Sequence, residues 1–145
     1  ITALGFGITG LLLIIASIDY KKKKEKLSAR SSLIIGLAQV FSLMPGISRS
    51  GTTISTGILL NLEEKTALKF SFLMSIPIIF GANILTIGNQ TLPKELIIAT
   101  FISFLIGLIV LHVLYNYILT SRKNLLYFGL YALSLSAIIL LIILI

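Results

Sequence analysis

Apolar residues run through this chain in blocks too long for a soluble domain, and polar positions punctuate them at few places. Residues 1–18 form the first block, 32–62 the second, 66–87 the third, 95–119 the fourth and 124–145 the fifth. Blocks of about 20 apolar residues match a hydrocarbon core about 30 Å thick at 1.5 Å of helical rise per residue. The pattern therefore predicts spanning helices over 1–18, 66–87, 95–119 and 124–145. Gly5, Gly7 and Gly10 suit the first to close helix packing. Pro77 predicts a kink in the third. Residues 88–94, with Asn89 and Pro93, read as a turn.

The second block is different. Met44-Pro45-Gly46-Ile47-Ser48-Arg49-Ser50-Gly51-Thr52-Thr53 interrupts it at its centre. A helix on either side would be about 20 Å or about 15 Å long, and neither crosses a bilayer. Two half-helices joined by a polar loop predict a re-entrant hairpin over 32–62. Non-helical backbone at that depth must be covered by protein or line a wet cavity.

Composition changes this picture little. Only 12% of the residues are charged, about half the share of a soluble domain, so the chain is read as an all-α integral membrane protein. There is no cysteine and a single histidine, which excludes disulfides and thiolate or zinc-type clusters. The chain starts at Ile1 within an apolar run, with no charged n-region or cleavage site of a signal peptide. The expectation is that it is part of a longer protein.

Charge placement sets topology. The net charge of +7 is concentrated in a basic cytoplasmic loop over 19–31, with Lys21–Lys24, Lys26 and Arg30, and in Arg122 and Lys123. That is positive-inside bias with attraction to anionic headgroups. No nucleic-acid module or interleaved aromatic pattern accompanies it, so nucleic acid is not a partner. With a re-entrant hairpin, Lys65, Lys69, Arg122 and Lys123 stay on the inner side and only Lys94 lies outside. With a full crossing over 32–62, Arg122 and Lys123 would move outside, so the bias favours the hairpin.

The chemistry is expected at the break. An arginine in a membrane segment is costly without a partner, and serines, glycines and threonines at a helix start build anion cradles. Arg49 offers a planar fork to two phosphate oxygens. Ser48 or Ser50 caps the following half-helix. The N–H groups of Gly51, Thr52 and Thr53 are expected to point at the anion, and Thr53 adds a hydroxyl. Gly46 and Gly51 allow close approach or positive φ. The competing reading is a broken transporter helix whose arginine pairs with a buried carboxylate, yet no suitable acid lies in the apolar segments.

The run Gly36-Leu-Ala-Gln39-Val-Phe-Ser-Leu-Met-Pro45-Gly-Ile-Ser48-Arg49-Ser50-Gly51-Thr-Thr53, followed by Phe70-Ser71-Phe72-Leu73 and Pro77, resembles the second half of the undecaprenyl-diphosphate phosphatases, the bacitracin-resistance proteins. Their Pro-Gly-x-Ser-Arg-Ser-x-x-Thr signature is matched by Pro45, Gly46, Ser48, Arg49, Ser50 and Thr53. The resemblance implies a multi-pass enzyme of the cell membrane that hydrolyses a polyprenyl diphosphate to the monophosphate. This would recycle the lipid carrier of cell-wall glycan synthesis. It implies two inverted repeats, each with a re-entrant hairpin, of which this chain is one. Arg49, Ser48 and Thr53 are then catalytic, and Ser50, Gly51, Thr52, Gly46 and Gln39 bind substrate. Gln39 occupies the position paired by pseudo-symmetry with an acidic motif of the first repeat, or is a helix-packing amide.

The resemblance also implies a divalent cation, Mg2+ or Ca2+. Its carboxylate ligands are expected in the missing N-terminal half, so this fragment alone is expected to be inactive. Its partners are the lipid diphosphate and the bilayer, and a homodimer is left open. The alternative is a lipid-phosphate carrier or flippase using the same anion site without hydrolysis. An acid-phosphatase-like lipid phosphatase needs a downstream His with an Asp partner; His112 follows Arg49 but no Asp does, so that reading fails. His112 is expected in a helix-to-helix hydrogen bond. Glu63 and Glu64 are expected at the water interface, and Tyr115, Tyr117, Tyr127 and Tyr131 in an interfacial belt.

Overall fold

A computed structural model describes residues 1–18, 26–87, 94–118 and 122–144. Its helices are α1 (Thr2–Ser17), α2 (Ala29–Val40), α3 (Arg49–Leu59), α4 (Glu64–Ile87), α5 (Lys94–Val113) and α6 (Arg122–Leu144). Three of them are long and apolar enough to cross a membrane, over Glu64–Leu85, Leu96–Asn116 and Lys123–Leu144. The basic loop at 19–25 and the turn at 88–93 lie outside the described residues.

Several boundaries differ from the sequence reading, each for a local reason. α2 starts at Ala29, inside the stretch assigned to the loop, because Ser28 and Ser31 form a reciprocal capping box. Arg122 and Lys123 open α6 instead of lying in a loop. α5 does not stop at Val113 but widens into a π-helical turn over Leu114–Ile118. α1 covers 16 residues of the 1–18 block, about 24 Å of helix. α4 runs on through Pro77, whose ring removes one backbone hydrogen bond from the ladder.

α3 is the hub. It packs against α1, α2 and α4. Gly51–Ser55, Gly57 and Ile58 are all buried. A helix this polar packs because its polar residues are small and satisfied internally. Thr52 and Thr56 each donate to the carbonyl four residues back, and Gly57 lets α3 approach Ala67 of α4. A Schellman motif ends α3. Asn61 adopts φ 64°, the Leu62 N–H reaches the Gly57 carbonyl, the Asn61 N–H reaches that of Ile58, and Leu62 is fully buried.

α1 and α6 pack antiparallel along small residues. A Cβ on Gly10 would lie 2.8 Å from the Gly129 carbonyl oxygen, and one on Gly129 would lie 3.0 Å from that of Gly10. Ser136 donates to the Ala3 carbonyl at 2.7 Å. Ala3, Ala132 and Ser136 are buried beside this seam. The small residues foreseen in α1 do serve close packing, as expected where lipid gives helices no hydrophobic reason to associate. The core joins Leu13 and Ala16 of α1, Ile35 of α2, Ile54 and Ile58 of α3, Ala67 and Leu68 of α4 and Leu125 of α6.

α5 stands apart. From Leu96 to Val113 only Gly107 is even half-buried. In the π-helical turn that follows α5, the Tyr115 ring centroid lies 5.7 Å from the Lys65 ammonium of α4.

Candidate functional site

The turn between α2 and α3 is built by backbone contacts with α1. Gly46 has φ +93°, and a Cβ there would collide with the Thr2 carbonyl. A Cβ on Gly5 would in turn lie 2.6 Å from the Pro45 carbonyl oxygen. The turn and α1 therefore meet glycine to backbone, leaving no room for a side chain. Thr9, buried in α1, donates to the Gly5 carbonyl at 3.0 Å and accepts the Ser48 N–H at 2.9 Å. The sequence reading gave Thr9 no role. The available signal was a hydroxyl within an otherwise apolar helix.

Four N–H groups at a helix start lack intrahelical acceptors. At α3 they belong to Ser48, Arg49, Ser50 and Gly51. Thr9 takes the first, and the Ser48 hydroxyl, as N-cap, takes that of Gly51 at 3.1 Å. The Thr52 N–H goes to the Ser48 carbonyl, and the helix ladder takes that of Thr53. The donors left over are the N–H groups of Arg49 and Ser50. This differs from the expectation that Gly51, Thr52 and Thr53 present theirs: the N–H groups without an intrahelical acceptor lie earlier, because Ser48 caps the helix tightly.

The side chains sort in the same way. Ser48 and Ser50 hydroxyls lie 3.5 Å apart at the helix start. Arg49 is half-buried, and no carboxylate among the described residues pairs with it. Thr53 differs from the expectation of a phosphate-facing hydroxyl. It is buried, bonds the Arg49 and Ser50 carbonyls, and meets the Ser71 hydroxyl of α4 at 2.5 Å. It ties α3 to α4 beneath the cradle. Thr52 is likewise turned inward. Gln39 lies in the last turn of α2, with Oε1 buried and without a hydrogen-bond partner among the described residues. His112 pairs with Asn116 one turn along its own helix, at 3.1–3.3 Å, not across helices as expected.

Ser48, Ser50 and Gly51 form one end of a cavity of about 200 Å³. Its other walls are apolar: Leu13, Ile54, Phe72, Leu114, Leu125 and Phe128. Arg49, Thr52, Thr53, Gly46 and Gln39 are not among its lining residues. The structure thus gathers three of the eight foreseen residues around one space, while Gly46 and Thr53 hold its surroundings in shape. Among the described residues no three acidic or histidine groups cluster. Hydroxyls beside an arginine offer no carboxylate to a hard cation, so these residues do not fit a metal site.

The fold is that of a multi-pass all-α membrane protein, with the N-terminus of α3 opening on an apolar cavity. The family follows from comparison: residues 1–138 match the family described as Bacitracin resistance protein BacA, and the chain belongs to it. It is 36% identical over 126 residues to the undecaprenyl-diphosphatase of Methanococcus vannielii, covering 86% of this chain and 50% of that protein. With the Thermotoga maritima undecaprenyl-diphosphatase it shares 41% over 111 residues, 75% of this chain and 46% of the other. With that of Methanococcus aeolicus it shares 35% over 153 residues, 97% and 59%. The chain spans about half the length of the curated relatives it matches.

Proposed function

We propose that the full-length protein hydrolyses a polyprenyl diphosphate, undecaprenyl diphosphate by the names of its relatives, to the monophosphate and inorganic phosphate. In the cell membrane this recycles the lipid carrier of cell-wall glycan synthesis. In the net step one water is consumed, the bridging P–O bond of the anhydride breaks, and the terminal phosphorus gains the oxygen of water. The observation that carries the reading is the start of α3. There the Ser48 and Ser50 hydroxyls lie 3.5 Å apart beside the N–H groups of Arg49 and Ser50, with the helix dipole behind them and the half-buried Arg49 as the first residue of the helix.

These groups grip the terminal phosphate and neutralise charge as the anhydride breaks. Thr9, Gly46 and Thr53 hold them in place. A divalent cation, Mg2+ or Ca2+, and the carboxylates for it enter the proposal from the family resemblance alone. No step above is routed through them. The α2–α3 hairpin enters and leaves the membrane on one side in this reading, since the two helices are about 18 Å and about 17 Å long. Nothing observed favours transport without hydrolysis.

Phosphate release from a prenyl diphosphate by the full-length protein in detergent tests the assignment. Arg49→Lys keeps the charge but loses the fork, and is expected to lose about 10²–10³ in rate, as is Arg49→Ala. Ser50→Ala is expected to cost less, because a neutral hydrogen bond is weaker. Near-normal rates in both arginine variants would make Arg49 structural and the site assignment wrong.

A further inference from the structure

The cavity at the start of α3 is polar at one end only. Six apolar side chains from α1, α3, α4, α6 and the π-helical turn form the rest. A phosphate needs none of these. The π-helical turn carries Leu114, which packs against the buried core and lines this wall. Such turns recur at functional sites because they re-aim a side chain. On the far side of Phe72 a second groove, of about 300 Å³, runs between α4 and α5 and is walled by Leu73, Leu111 and Tyr115 among others. Phe72 borders both spaces.

We infer that this cavity is the subsite for the first isoprene unit or units of the lipid diphosphate, and that the chain leaves past Phe72 along the α4–α5 groove. The inference rests on the hydrolysis reading above and adds which part of the substrate these residues select. A dry cavity of roughly 150 Å³ lined by Leu, Ile and Phe accepts a ring of six carbons. A space of about 200 Å³ thus suits one or two branched five-carbon units. Ligand sites commonly pair apolar walls with a few placed polar groups. Here the polar groups are those of the phosphate cradle, so the two ends of the cavity match the two ends of one amphiphile. A prenyl tail in lipid is already out of water, so the walls act by shape. They accept the first isoprene beside the cradle, and so contribute to binding of the lipid rather than to the chemistry of its phosphate.

The test is filling the cavity. Leu114→Trp in the full-length protein is expected to raise KM for farnesyl diphosphate at least tenfold, with kcat within twofold of wild type. The inhibition constant of inorganic phosphate, which reports on the cradle, is expected not to move. A farnesyl diphosphate analogue with a benzophenone on its first isoprene is expected to label peptides holding Phe72, Leu114 or Phe128 in the wild-type protein. Unchanged KM in Leu114→Trp would overturn the inference, since membrane lipid or detergent would then fill the space. Parallel losses in kcat and in phosphate inhibition would overturn it too, as would label found only on other peptides. Were Leu114→Trp not to fold, the label decides. Absence of phosphate release from the wild type would instead defeat the hydrolysis reading, and the label would still report on the cavity.

Discussion

At the residue scale the chemistry depends on which donors a helix start leaves over. Ser48 could be named as a cap from its sequence, because hydroxyls precede helices for a known reason. Its own N–H could not be placed, since its acceptor, Thr9, lies 39 residues away on another helix. That tertiary bond occupies the Ser48 N–H, while the Ser48 hydroxyl and carbonyl take the N–H groups of Gly51 and Thr52, which leaves those of Arg49 and Ser50. Thr9→Val keeps the shape and removes the acceptor, leaving the Ser48 N–H unpaired, at a cost of about 1–3 kcal/mol. Thermal unfolding in detergent should show the loss, with phosphate release falling alongside it. Thr9→Ser should restore both. If Thr9→Val behaves like wild type in both assays, α1 does not position the cap.

At the element scale the apolar blocks were legible because hydropathy reports on solvent, and lipid is this protein's solvent. The break at 44–48 was legible because Pro, Gly and Ser cannot continue a helix cheaply in an apolar run. The π-helical turn at Leu114–Ile118 was not, since its residues differ in no periodic way from those of α5. The pairing of α1 with α6 was half legible: glycines marked the surface, and nothing marked the partner. Gly129→Val tests the seam. Its Cβ would sit 2.7 Å from Ile14 Cγ1, so α1 and α6 must separate, at about 1–3 kcal/mol. Gly107→Ala in α5 is the control, because nothing lies within 4 Å of a Cβ there. It should be neutral or raise the unfolding temperature slightly. Equal effects from the two would remove close packing as the reason for Gly129.

At the scale of the whole molecule, topology follows from whether the hairpin crosses. Cysteine at Lys94 should react with an impermeant thiol reagent added outside, while cysteine at Lys23 or Lys123 should be protected. The reverse pattern, with position 123 reached and position 94 protected, would make 32–62 a full crossing. The contact map also sets an order of assembly. The cradle leans on α1 through Thr2, Gly5 and Thr9, and α1 is seated mainly by α6, with Ser136 bonded to Ala3 across 133 residues. Helices emerge from synthesis in sequence order, and contacts this distant in sequence close late. A nascent chain halted before Arg122 would already contain the whole Pro45–Thr53 motif, with the helix that buttresses it still undocked. On the proposed reading, the phosphate site is therefore complete only once α6 has docked.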